Sequence, residues 1–169
     1  RTASAMRFLE QILPSATGDR VVFGARGEVL IFDPANGSYK NLTNTPGIAE
    51  RYPTISPDGK SVAYVSDESG EYALHVRSLE NDAVKKIQIE SKPSFYWNLV
   101  WSPDSRKLAF PDRRLNLWLV DVAGHGDAEL VTHTLRGLLL LGGLVGHVDE
   151  LGAERLDHAH GVRRGAADV

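Results

Sequence analysis

The residue types best suited to binding a metal ion lie near the C-terminus. His158 and His160 are separated by one residue and Asp157 precedes them, and imidazole and carboxylate groups are ligands that suit zinc. The spacing matches no established zinc motif, and the glycine-rich surroundings would not fix the ligand geometry. His147 and Glu150 resemble half of a metalloprotease helix, but the second histidine is missing. We therefore predict no metal site and no metal cofactor.

The serines offer no nucleophile of the α/β-hydrolase type. Such a nucleophile needs a G-x-S-x-G elbow, and the sequence contains none. Ser56 and Ser102 each precede a proline, so we interpret them as residues that begin a turn. We assign no catalytic residue and no bound cofactor to the chain.

A repeated turn organises the elements around these residues. Ser56–Lys60 (Ser-Pro-Asp-Gly-Lys) and Ser102–Arg106 (Ser-Pro-Asp-Ser-Arg) begin 46 residues apart, and residues 15–20 form a degenerate copy 41 residues before the first. Proline presets φ, aspartate tolerates the bridge region, and Gly59 accepts a left-handed backbone. Ser105 stands at the glycine position of the later copy, at an expected cost of about 1 kcal/mol.

Each turn belongs to a four-strand pattern. Its order is strand, turn, strand, connection, strand, turn and strand in roughly 40 residues, the size of one propeller blade. Strands such as 29–32 and 108–110 are continuously apolar, as expected where neighbouring sheets cover both faces. We predict an all-β fold, a partial β-propeller of two to three four-stranded antiparallel blades at 15–123. A lead-in at 1–14 precedes them, and a tail at 124–169, irregular or partly helical, follows.

Acidic and aromatic side chains are the remaining binding candidates. Five carboxylates could contact a cation or a peptide amine at the propeller mouth, but we favour backbone capping in loops for them. They are Asp58, Asp67, Glu68, Glu71 and Asp104. Five aromatic residues are expected to fill space between blades rather than to stack on a ligand. They are Tyr72, Tyr96, Trp97, Trp101 and Trp118. The segment 95–97, Phe-Tyr-Trp, is an exception, because it precedes a strand and could line the central channel.

The composition changes at about residue 124. Beyond it the chain uses almost only residues whose codons begin mostly with G or C, and five of the six histidines lie there. We hypothesise that this tail is an out-of-frame or otherwise non-native continuation of a GC-rich gene, without an evolved function. Residues 127–132 still fit the last strand of a blade, so the point of change stays open.

Composition also narrows the partners and the compartment. The net charge of −3 argues against nucleic acid and anionic membranes, and the longest apolar run, 138–148, is shorter than the roughly 20 residues of a membrane span. The absence of cysteine excludes disulfides and thiolate metal sites and fits a reducing compartment. Residues 1–20 lack the apolar core of a secretory signal. We expect a cytoplasmic protein, or a periplasmic one if a longer precursor carries a signal.

Several motifs together resemble one protein family. The Ser-Pro-Asp-Gly-Lys turn is shared with TolB-like and prolyl-oligopeptidase-like propellers, whereas Asn-Leu-Thr-Asn-Thr-Pro-Gly beside Ser-Asp-Glu-Ser-Gly-Glu-Tyr is more specific. With these motifs, the segment from Val21 to Val122 resembles the WD40-like (PD40) propeller region of tricorn-type proteases. The motifs lie at 21–27, 41–47, 56–60, 66–72 and 101–105.

The resemblance carries expectations about function. In that family the propellers sit beside a PDZ-like module and a serine peptidase domain and are thought to filter peptides. Since no counterpart of the catalytic serine, histidine and acid is found here, the resemblance implies a non-catalytic propeller fragment that shapes peptide access. Its partners would be the remaining blades, the peptidase domain and oligopeptides. The alternatives are a TolB-like scaffold that docks proteins and an inactive product of a disrupted gene. Uncovered sheet faces and edges would make an isolated fragment marginal or homo-oligomeric.

Overall fold

The protein is built from three four-stranded antiparallel sheets. The structure, a computed structural model, describes residues 9–90, 94–124 and 128–132. In each sheet the strands are neighbours in the order in which they follow in the chain. This meander confirms the all-β fold and the predicted four-strand unit. Within the described ranges, no helix is long and apolar enough to cross a membrane.

The strand bounds follow the repeat. The first sheet contains β1 (Leu9–Pro14), β2 (Val21–Ala25), β3 (Glu28–Asp33) and β4 (Ser38–Asn41). The second sheet contains β5 (Glu50–Ile55), β6 (Ser61–Ser66), β7 (Ala73–Ser78) and β8 (Val84–Ile87). The third sheet contains β9 (Val100–Trp101), β10 (Lys107–Pro111), β11 (Leu117–Asp121) and β12 (Ala128–Thr132).

Two strands lie in the segments assigned to the lead-in and the tail. β1 pairs with β2, with Pro14 opposite Val21. β12 pairs with β11, with Leu130 opposite Trp118, which agrees with the strand interpretation of 127–132. The rest of the predicted tail, residues 125–127 and 133–169, lies outside the described residues.

The repeated turn has the geometry that its residues predict. Ser56 O accepts a hydrogen bond from Gly59 N at 2.9 Å, and the Ser56 hydroxyl donates to Asp58 Oδ1 at 2.6 Å. Ser102 O and the Ser102 hydroxyl make the same two contacts with Ser105 N and Asp104, at 2.9 and 2.6 Å. Gly59 has a φ of 70° and Ser105 a φ of 62°, so both occupy the left-handed region.

The degenerate copy forms the same turn with its carboxylate at another position. Ser15 O accepts from Gly18 N at 3.0 Å, and Gly18 has a φ of 72°. The Ser15 hydroxyl donates a hydrogen bond to Asp19 Oδ1 at 2.7 Å. The aspartate is thus four positions after the serine here, whereas it is two positions after the serine in the other copies. The turn therefore requires a serine, a left-handed residue three positions after it and a nearby carboxylate.

The second sheet is covered on both faces. Val62 and Tyr64 of β6 belong to the core cluster shared with Val22 and Val29 of the first sheet. Ala63 and Val65, on the opposite face, belong to the cluster shared with the third sheet. Successive side chains of a strand point to opposite faces of its sheet. A strand of a sheet that is covered by other sheets on both faces must therefore be apolar at every position. This explains the apolar run of β6. In the first sheet the outcome differs, because only Val29 of the run 29–32 is buried and the other three residues are partly exposed.

Candidate functional site

The two ends of the sheets are chemically different. The repeated turns lie at one end, which we call the turn end. Successive connections of an antiparallel meander alternate between its two ends. The opposite end, which we call the loop end, therefore holds the connections 67–72 and 112–116 and the segments that precede β5 and β9. Aromatic and acidic side chains meet at the loop end.

Four aromatic rings form a cluster at the loop end of the second and third sheets. Phe95 is at its centre, and we call Tyr52, Tyr72, Phe95 and Trp97 the Phe95 cluster. The Phe95 ring centroid lies 5.2 Å from Tyr72 and 6.0 Å from Tyr52, both edge-to-face, and 6.2 Å from Trp97. All four residues are partly exposed, and Tyr52 and Tyr72 also pack against the main core.

The segment 95–97 divides its rings between two environments. Tyr96 is buried, stacks edge-on against Phe110 at 5.7 Å, and donates a hydrogen bond to Glu90 Oε1 at 3.2 Å. Its neighbours Phe95 and Trp97 join the partly exposed cluster. An extended backbone alternates its side chains, so the three consecutive aromatics cannot share one face.

From the sequence, Tyr52 stands out only as an aromatic residue before the first repeated turn, and it was not among the candidate binding residues. It has a φ of 56°, and Asn98, at the equivalent position 46 residues on, has a φ of 51°. The pairing of β5 with β6 shifts register between Arg51 and Thr54, so Tyr52 lies at a bulge. A left-handed backbone is costly for a bulky residue, and the bulge aims its ring at Phe95. The available sequence signal was Asn98, which aligns with Tyr52 in the 46-residue register and is a residue type that tolerates the left-handed region.

Glu50 lies buried in the strand that leads to Tyr52. It is 2% exposed, and its Oε1 accepts a hydrogen bond from the Thr45 hydroxyl at 2.5 Å. Burial raises the pKa of Glu50, and hydrogen bonds from Thr45 and Thr43 only partly oppose this. A carboxyl in this setting is a poor partner for an external cation.

A second buried carboxylate organises the connection between β10 and β11. Asp112 accepts hydrogen bonds from Arg114 N at 2.8 Å, Asn116 N at 3.0 Å and Trp118 Nε1 at 3.2 Å. The Arg114 guanidinium bridges Asp112 and Glu90. Arg113 N donates to Phe95 O at 3.0 Å, so this connection also supports the Phe95 cluster.

Two curated proteins are similar in sequence to the chain. Dipeptidyl-peptidase 5 of Porphyromonas gingivalis is 28% identical over 109 residues, which are 60% of this chain and 16% of that protein. Tricorn protease homolog 1 of Streptomyces coelicolor is 26% identical over 136 residues, which are 77% of this chain and 11% of that protein. No protein-family model matches the chain.

Solved structures share the arrangement of the sheets. TolB from Acinetobacter baumannii superposes with a TM-score of 0.56 at 25% identity, over 73% of this chain and 32% of that one. The tricorn protease superposes with a TM-score of 0.53 at 17% identity, over 68% of this chain and 14% of that one. The three sheets resemble blades of a tricorn- and TolB-type β-propeller. This confirms the resemblance predicted from the sequence motifs, and the chain spans less than one fifth of each curated relative.

Most of the five candidate carboxylates accept a hydrogen bond from a backbone N–H of the protein or form an ion pair with a neighbouring side chain. Asp58 and Asp104 accept hydrogen bonds from Lys60 N and Arg106 N, both at 3.0 Å. Asp67 accepts from Ala49 N at 2.8 Å. Glu68 forms a 2.6 Å ion pair with Lys86, and Glu71 is exposed beside Tyr72.

The remaining candidates lie inside the blades or beyond the described residues. The hydroxyls of Ser56 and Ser102 are buried inside their turns, where Ser61 N and Lys107 N donate to them at 3.0 and 2.8 Å. Three of the candidate rings are at most 8% exposed: Tyr96, Trp101 and Trp118. In residues 9–90, 94–124 and 128–132, no group of three or more acidic or histidine side chains could hold a metal ion. The candidate metal ligands lie outside these ranges: His147, Glu150, Asp157, His158 and His160.

Proposed function

We propose that the chain is a non-catalytic propeller part of a tricorn-like serine peptidase, where it shapes the access of oligopeptides. The observation that carries the proposal is the Phe95 cluster, a set of partly exposed rings at the loop end of blades that resemble those of a peptidase. Two curated relatives are peptidases by name, and the serines of the repeated turns are buried in hydrogen bonds.

The remaining blades of a longer protein are the proposed partner of the first sheet. Phe23 occupies the position that Tyr64 occupies 41 residues later, and Tyr64 is one of the residues through which the second sheet packs on the first. Phe23 pairs across the sheet with Ile12 and Leu30, and Ile12 is 56% exposed. This face therefore has the character of a blade interface, and no other sheet of the described residues packs on it.

A retention experiment tests the proposed role. The purified chain is immobilised and incubated with a mixed oligopeptide library, and bound and free fractions are analysed by mass spectrometry. We expect a subset of peptides to be retained and none to be cut. Cleavage would refute the non-catalytic role. Retention of no peptide by a chain that melts cooperatively would refute peptide access and favour the TolB-like protein scaffold. A chain that shows no β-sheet structure by circular dichroism would refute the proposal and support the disrupted-gene alternative.

A further inference from the structure

We propose that the Phe95 cluster binds an extended peptide by accepting one of its apolar side chains. The inference rests on the proposed function, and it names the chemistry that the site selects. The ligand class is an oligopeptide that carries a phenylalanine or leucine-like side chain.

The exposure of the cluster is the first argument. The same blades bury their other large rings almost completely, as Tyr96, Trp101 and Trp118 show. The fold can therefore enclose aromatic side chains. At the loop end, however, Phe95 and the three rings that contact it are all partly exposed, which marks a surface suited to further contact. Two edge-to-face contacts hold the Phe95 ring, which presents a pre-organised apolar patch.

The backbone beside the rings supplies the second argument. Tyr52 lies between the paired positions Arg51 and Thr54, where the β5 ladder is interrupted. The exposed Asn98 has the same left-handed backbone at the equivalent position. A bulge and a side-chain amide next to an apolar patch offer polar contacts for a peptide main chain, while the patch takes a side chain. Proteins that recognise extended peptides combine these two kinds of contact, since main-chain hydrogen bonds supply affinity and side-chain contacts supply specificity.

The charges around the cluster favour an apolar over a cationic side chain. Glu90 and Asp112 already share the Arg114 guanidinium, and Glu50 is buried against Thr45. Glu71 is exposed at the rim, where an ion pair contributes little. The selectivity therefore comes from apolar contact with the rings.

Calorimetric titration of the intact chain with capped pentapeptides tests the inference. The probes are Gly-Gly-Phe-Gly-Gly and its counterparts with alanine or lysine at the centre. We expect the phenylalanine peptide to bind about tenfold more tightly than either counterpart, and Phe95→Ala to remove this difference. Phe95→Leu should keep most of it, because an apolar side chain remains.

Controls separate binding from folding. Tyr39→Ala is the matched control, since Tyr39 is a 73% exposed aromatic residue on the first sheet, and its selectivity between the three peptides should equal that of the wild type. If Phe95→Ala lowers the melting midpoint, Trp97→Ala at the edge of the cluster replaces it. Equal affinity of the wild type for all three peptides would overturn the inference, as would unchanged selectivity in a folded cluster variant. Library peptides that are retained equally by wild type and folded Phe95→Ala would overturn this inference alone, leaving the proposed function in place.

Discussion

Truncation of Asp112 tests how the loop end is held together. Its fully buried carboxylate accepts hydrogen bonds from the backbone N–H groups of Arg114 and Asn116 and from the Trp118 indole. Hydrogen bonds to a charged group contribute about 1.5–3 kcal/mol each, and a stranded buried donor costs about 1–3 kcal/mol. Arg114 is exposed and Asn116 is partly exposed, whereas Trp118 is buried, so after truncation we expect water to reach the first two groups and not the indole. We expect Asp112→Ala to lower the free energy of unfolding by about 4 kcal/mol.

Urea unfolding followed by tryptophan fluorescence measures this loss. Asp104→Ala is the matched control, because Asp104 is an exposed aspartate that accepts hydrogen bonds from Ser102 and Arg106 at the turn end. The control should lose clearly less stability than Asp112→Ala. Equal unfolding midpoints for the two variants would refute the reasoning, since burial of the acceptor would then make no difference.

The same carboxylate predicts a dependence on pH. Burial alone would raise the pKa of Asp112, but hydrogen bonds from Asn116 and Trp118 outweigh burial and bring the pKa below its ordinary 3.8. The stabilisation is therefore complete above the pKa of the unfolded chain and is lost as the pH falls through the lower pKa of the folded state. Below about pH 4 the wild type should lose more stability than Asp112→Ala does.

Three further predictions address the blades. Ser105 has a strained left-handed backbone, but its hydroxyl accepts a hydrogen bond from Asp58 N of the neighbouring blade at 3.0 Å. Ser105→Gly relieves the strain and loses the hydrogen bond, so the free energy of unfolding should change by less than about 0.5 kcal/mol, whereas Ser105→Ala loses only the hydrogen bond and should lower it by about 1 kcal/mol. Equal values for the two variants in urea unfolding would contradict this. Burial raises the pKa of Glu50 in the folded protein. The loss of stability caused by a charged Glu50 is therefore absent below the pKa of the unfolded chain, and it grows as the pH rises through the pKa of the folded state. Glu50→Gln should therefore match the wild type near pH 4 and be at least as stable at pH 8, and a loss at pH 8 would argue against it. The face of the first sheet that carries the exposed Ile12 should make the chain self-associate. The double variant Ile12→Lys, Tyr39→Lys should shift sedimentation towards the monomer. A wild type that is monomeric at all concentrations would exclude this association.

Local chemistry made the blades predictable. The turn residues Ser56 and Ser102 act on backbone groups no more than five positions away, so their effect is present in any short segment of chain. The left-handed backbone at Gly59 and Ser105 followed from the same turn logic and was confirmed. The continuous apolar runs then implied sheets covered on both faces, as the second sheet is.

The loop end was less predictable because its contacts join distant segments. The sequence alone could mark 95–97 as unusual, but only the paired sheets show that Tyr96 turns inward while Phe95 and Trp97 remain partly exposed. Tyr52 joins Phe95 across more than 40 residues of chain, through a bulge that its own neighbours do not announce.

The sequence by itself determined the repeat, the turn chemistry and the all-β class, since these depend on interactions between near neighbours. The tertiary structure alone decided which carboxylate becomes a buried acceptor and which rings remain in reach of a ligand. Burial is a property of packed sheets, and residues of the same type, such as Asp104 and Asp112, acquire different roles only when the blades come together.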